Sequence, residues 1–168
     1  MSALGILHTA LSLLPVIVGA YGFCRDGRIA PALRLGNWYL YGMLASVVTS
    51  FGLSSSGGFN VGHALGLVAL AAILVGRYAD QMTWLGNGRP YLEVASMTFS
   101  YFVLMIPGLN ETLSRVPPGD PIGHGPDSPA VQTALLIAVA IFLIGLTYQM
   151  LKLRSRRLAA ASPARLHH

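Results

Sequence analysis

Two histidines, a glutamate and an arginine are the side chains whose chemistry and placement could make a site. His8 lies about two turns into the first apolar run, His63 opens the third, and Glu111 and Arg115 close the fourth. Neutral imidazoles on two separate helices are the minimum geometry for holding a haem iron or another metal ion. His8 and His63 are therefore the candidate metal ligands, with haem b or a transition metal as the cofactor. Glu111 and Arg115 would stand beside them, as hydrogen-bond or propionate partners. The same four residues could instead take up and release protons around a small or lipidic molecule.

The segment from Met105 to Pro117 carries the most specific local pattern. Pro107 lacks a backbone donor, and Gly108 costs about 1 kcal/mol relative to alanine in a helix. The helix is expected to kink or break there and to free carbonyls near Val103 and Leu104. Glu111 and Arg115 are four residues apart, on one helical face, and can form an ion pair. Glu111 is then either a cavity-lining acid or half of a surface pair. His124 follows in the next loop. The chain contains no Gly-rich phosphate loop, no His-Glu-x-x-His and no Cys-x-x-Cys motif. No Ser/His/Asp arrangement can be placed either, so no catalytic residue is assigned and an enzyme is neither specified nor excluded.

These side chains must be positioned by apolar helices. The 168 residues are 54% hydrophobic and 10% charged, with a mean hydropathy of +0.60. Soluble domains carry about 25% charged residues, so lipid is the expected solvent for much of this surface. A spanning helix needs roughly 20 mainly apolar residues. Five runs qualify, at about residues 3–23, 38–53, 61–78, 91–113 and 130–153, the second being short and rich in Gly and Ser. It ends at Ser54-Ser55-Ser56-Gly57-Gly58. The Pro- and Gly-rich stretch from Pro117 to Asp127 cannot be helical. The predicted fold is all-α: one polytopic bundle of five transmembrane helices over residues 1–157, with a flexible tail at 158–168.

Loop charge gives the direction. With the N-terminus outside, Arg25, Arg28, Arg34, Arg77, Arg89, Lys152, Arg154, Arg156, Arg157 and Arg165 all fall inside, leaving Arg115 as the exception among 11 basic residues. Short cytoplasmic segments carry this excess. An even number of spans would spoil the alternation. The expected location is the bacterial cytoplasmic (inner) membrane, with the C-terminus in the cytoplasm. At about 1.5 Å rise per residue, His8 and His63 then lie at similar depths in the outer leaflet, with Glu111 near them.

The net charge of +5 follows from topology rather than from a nucleic-acid surface, because the basic residues sit between and after the apolar runs. No nucleic-acid partner is expected. The lipid bilayer is, together with a small or lipidic ligand on the outer side and a second copy of the chain. Lys152 to Arg157 reads as an anchor attracted to anionic headgroups. Asp80 and Glu93 are expected to pair with Arg77 or Arg89. Cys24 is alone and reads as a buried or interfacial thiol. No basic residue precedes the first apolar run, so that run reads as a retained helix rather than a signal peptide. The terminal His167-His168 reads equally as native tail or as tag remnant. Gly62 and Gly66, four apart, would let a neighbouring backbone approach closely.

His8, the Arg34-Leu35-Gly36 leading into Trp38-Tyr39-Leu40, and Gly57-Gly58-Phe59 followed by His63 together resemble a group of uncharacterised small bacterial multi-helix membrane proteins catalogued as a domain of unknown function. The resemblance covers about the first 80 residues. It implies the architecture and carries no activity or site residue with it. Three functions stay open: a haem- or metal-binding redox protein, a small-molecule or lipid binding or transport protein with a proton-linked site, and a structural or accessory subunit.

Overall fold

The computed structural model describes residues 3–53 and 58–161. Five helices account for most of the described chain: α1 (Ala3–Asp26), α2 (Arg34–Phe51), α3 (Val61–Tyr78), α4 (Arg89–Leu113) and α5 (Pro129–Ala161). Two short 3-10 turns, Ala79–Gln81 and Thr83–Gly88, join α3 to α4. No strand occurs among the described residues.

Local chemistry sets the helix ends. Gly27 has a φ of 71°, and its N–H returns to the Phe23 carbonyl, so a residue free to turn left-handed closes α1. Asn60 opens α3 through a reciprocal pair of bonds with His63. Pro90 lies in the first turn of α4, where a missing donor costs nothing. The residues assigned to a tail from position 158 belong to α5 as far as Ala161, while His167 and His168 lie outside the described residues. The expected break at Pro107 and Gly108 is not found. α4 is continuous through both, since a proline removes a single rung and membrane helices tolerate that loss locally.

Four segments are long and apolar enough to cross a membrane: Ala3–Asp26, Val61–Gln81, Thr83–Leu113 and Pro129–Ala160. The run expected at 38–53 is not among them. It begins earlier, at Arg34, and its Ser54–Gly57 end lies outside the described residues. The physical reason is composition, because Arg34, Asn37 and the Gly, Ser, Thr and Tyr residues of α2 lower its mean hydropathy. α2 contributes Tyr39, Met43 and Val47 to the core, and Gly36, Gly42 and Ser46 are buried with them. Its opposite face, with Trp38, Tyr41, Leu44, Val48 and Phe51, is exposed, so α2 is amphipathic, holding its polar side chains against neighbouring helices, rather than apolar all round.

α1 packs most extensively on α2, α3 on α4, and α5 on α4. Ala69 and Ile73 of α3 and Met97, Val103 and Leu104 of α4 complete the core. Close backbone approach occurs at Gly66, where an added Cβ would stand 2.8 Å from Val47 Cγ2, whereas Gly62 faces its own Asn60 side chain. Phe142 of α5 stacks on Phe102 with ring centroids 4.7 Å apart, fixing α5 to α4. Leu136, Ile137, Ile141 and Ile144 of α5 are exposed, and only 6% of its apolar window is buried. Exposed apolar surface on this scale suits lipid rather than water.

Candidate functional site

His8, His63 and Glu111 do come to one end of the bundle, opposite the basic end. His63 is 2% exposed and acts as a joint. Asn60 Oδ1 accepts the His63 N–H at 3.1 Å, and the Asn60 N–H donates to His63 Nδ1 at 3.2 Å. On its other edge the ring meets the Ser50 carbonyl at 3.0 Å. A carbonyl can only accept, so Nε2 carries the proton and Nδ1 gives its lone pair to Asn60. The ring also stacks on Phe51, with centroids 4.3 Å apart and planes 6° from parallel. Both nitrogens are committed to joining the end of α2 to the start of α3.

His8 is held differently. Its Nδ1 lies 2.9 Å from Thr49 Oγ1 on α2. The Thr49 hydroxyl donates to backbone carbonyls of Ala45 and Ser46, so the proton in the contact with His8 comes from Nδ1. Ser12 donates to the His8 carbonyl at 2.8 Å and meets Ser46 Oγ at 2.7 Å. With its one proton spent, Ser12 accepts from Ser46 and has none for His8 Nε2, 3.4 Å away. His8 thus keeps one imidazole lone pair, and His63 keeps none.

Glu111 lies within electrostatic reach of His8. It also forms an ion pair with Arg115 at 2.6 Å, and both side chains are 58% exposed. Of the two readings weighed for Glu111, the surface pair describes this arrangement. The neighbouring Asn110 is different, because its Oδ1 is buried without a hydrogen-bond partner. His124 is exposed in the loop before α5.

A haem or metal centre held jointly by His8 and His63 does not fit these side chains, because metal ligation needs a bare nitrogen from each. His63 could supply one only by breaking the cap of α3 or its bond to α2. Among the described residues no group of three or more His, Cys, Asp or Glu side chains gathers that could hold a metal ion.

The remaining polar contacts run deeper and were not singled out from sequence. Tyr39 Oη meets Ser100 Oγ at 3.0 Å within the core. Gln149 of α5 accepts from Thr98 at 2.8 Å and donates to the Gly27 carbonyl at 2.8 Å, tying three elements together. At the basic end Arg77 donates to the Pro31 carbonyl and to Asn37 Oδ1, both at 2.7 Å. Glu93 pairs with Arg28 at 3.0 Å rather than with Arg77 or Arg89. Arg89 instead donates to the carbonyls of Gly86 and Asp80. Of its two readings, buried or interfacial, Cys24 is not buried: it is exposed in the last turn of α1.

Two shallow, open cavities lie at the basic end. Comparison of the chain with protein-family models, with curated proteins and with solved structures finds no match.

Proposed function

We propose that this chain is a structural or accessory subunit of the bacterial cytoplasmic membrane. It crosses five times, with the N-terminus outside and the C-terminus in the cytoplasm, and its histidine-bearing end locks helices together rather than binding a cofactor. The observation that carries the reading is the double commitment of His63, whose two ring nitrogens join α2 to α3. The five-span count draws support from α2 lying alongside α3 for its whole length, from Asn37 against Arg77 at one end to Ser50 against His63 at the other. If α3 crosses, so does α2. The bias of basic residues supports the direction.

Two measurements test this. Protein extracted in mild detergent should show no Soret band and no stoichiometric transition metal. A Soret band lost in both His8→Ala and His63→Ala overturns the reading. For topology, Cys24 is the single cysteine and should react with a membrane-impermeant maleimide only after cells are opened. Asp127→Cys in a Cys24→Ala background should react in intact cells. With four crossings position 127 would share the side of Cys24, so protection of both positions sinks the fifth span.

One observation favours a second reading. The free Nε2 of His8, the charge of Glu111 nearby and the unpartnered Asn110 Oδ1 offer a proton site and a donor-seeking oxygen at the same end. A small-molecule or lipidic ligand with a hydrogen-bond donor would suit them, bound to one copy or enclosed by several. pH-dependent ligand binding abolished by Glu111→Gln would establish that reading over the first.

A further inference from the structure

The basic end contains a groove that the accessory role does not use. It encloses about 110 Å³ and is lined by Asp26 at the end of α1, Gly27 and Arg28 just after it, Val94 of α4, and Gln149, Lys152, Leu153 and Arg156 of α5. Three cations face one carboxylate there. That carboxylate is already occupied, since Asp26 accepts from Arg25 Nε and Nη2, both at 3.0 Å. Arg28 is shared with Glu93. Lys152 and Arg156 are four apart on one face of α5, and neither forms an ion pair among the described residues.

The wall beneath them is fixed. Gln149 holds the Gly27 carbonyl, and Gly27 has no side chain where Lys152 approaches: an added Cβ would stand 3.7 Å from Lys152 Nζ. Val94 and Leu153 give the groove an apolar floor beside its cations. At about 1.5 Å per residue the 33 residues of α5 measure about 50 Å, against a hydrocarbon core of about 30 Å. Its basic turn therefore reaches the headgroup layer while its apolar turns stay in lipid. Two cations with no carboxylate partner, Lys152 resting on the Tyr148 ring at 5.4 Å from its centroid, stand beside apolar side chains at that depth and match a phosphate carried on an acyl glycerol.

We propose that this groove binds the phosphate of an anionic phospholipid headgroup, gripped by Lys152 and Arg156 with Arg28 at its edge. Basic pockets between helices at the cytoplasmic side are suited to such headgroups. The inference stands apart from the accessory role, because it concerns the opposite end of the bundle.

Native mass spectrometry of the full chain, titrated in detergent with phosphatidylglycerol, cardiolipin or phosphatidylcholine, provides the test. Retention of one anionic lipid in preference to phosphatidylcholine is expected. Lys152→Gln with Arg156→Gln should weaken it on the order of tenfold or more. Arg34→Gln with Arg154→Gln removes the same charge from the same end outside the groove and should leave retention within about twofold. Unchanged thermal unfolding in phosphatidylcholine would exclude misfolding of the groove variant, and lipid retention read on the folded fraction covers a shifted one. Equal loss in both double variants would mean diffuse attraction and overturn the site. So would equal retention of phosphatidylcholine. Displacement of the lipid by millimolar inorganic phosphate would assign the groove to a free anion and overturn the headgroup.

Discussion

Replacing His63 with alanine is expected to lower the unfolding free energy by about 3 kcal/mol, the largest loss for any single residue of the histidine-bearing end. Three contributions add. The Asn60 N–H loses its acceptor, and because Asn60 is exposed the loss is that of an ordinary hydrogen bond, about 0.5–1.5 kcal/mol. The stack on Phe51 goes, and such ring pairs contribute about 0.5–1.5 kcal/mol. The vacated volume adds a cavity cost. The Ser50 carbonyl suffers least, since the Leu53 N–H still reaches it at 3.1 Å. Two further variants separate the contributions. His63→Gln puts at the third helical position a residue able to rebuild the capping box, but it loses the stack. His63→Phe keeps a ring and loses both hydrogen bonds. Each should fall between wild type and alanine in denaturant-induced unfolding of the detergent-solubilised protein. His8→Ala should cost about 1 kcal/mol or less, because interhelical hydrogen bonds in membrane proteins average about 0.6 kcal/mol. A His63→Ala protein as stable as wild type would remove the structural role assigned to this ring.

The contrast between the two histidines explains what the sequence could and could not disclose. Their position near one end follows from helix rise and run boundaries, and hydropathy made that legible. Whether a ring nitrogen is free depends on which residue stops the preceding helix and which caps the next. Asn is a favoured N-cap residue and stands three residues before His63, a signal in the residues that the reading of His63 as a ligand did not use. The Ser50 carbonyl could not, because it arrives through the packing of α2 on α3.

Pairing at the basic end failed to be legible for a similar reason. Nearest neighbours in sequence offered Arg77 and Arg89 to Glu93, yet Arg28, 65 residues away, takes it. Arg77 is spent on the Pro31 carbonyl and Asn37. Gln149 was invisible for a different reason, being one of a few polar residues in a long apolar run. A single such residue in an apolar helix is worth attention whenever the next polar group on a neighbour, here Thr98, can lie at the same depth. The helical class and most helix bounds were legible because lipid forces every backbone group to bond within its own segment. α2 was the partial exception, its run beginning four residues earlier than expected and holding the polar side chains that bind α1, α3 and α4.

The buried face of α2 makes Gly42 the glycine that tests the contact between α1 and α2. A Cβ added there would stand 2.8 Å from Pro15 Cδ and 3.2 Å from both Leu14 Cδ2 and Pro15 N. A proline ring is rigid and the nitrogen is backbone, so neither can swing aside, and α1 and α2 must separate. Overpacking of this kind costs about 1–3 kcal/mol, and Gly42→Val is expected near the upper end because its branched side chain adds two further atoms at the contact. The separation would also stretch the ties between Ser12 and Ser46 at 2.7 Å and between His8 and Thr49 at 2.9 Å. Gly108→Ala is the matched comparison. Nothing lies within 4 Å of its added Cβ, and α4 is helical through that position, so helix propensity should leave stability unchanged or raise it by up to about 1 kcal/mol. Unfolding midpoints of the two variants in one detergent measure both effects. A Gly42→Val protein as stable as Gly108→Ala would mean that α1 and α2 are not in the close contact that buries one face of α2.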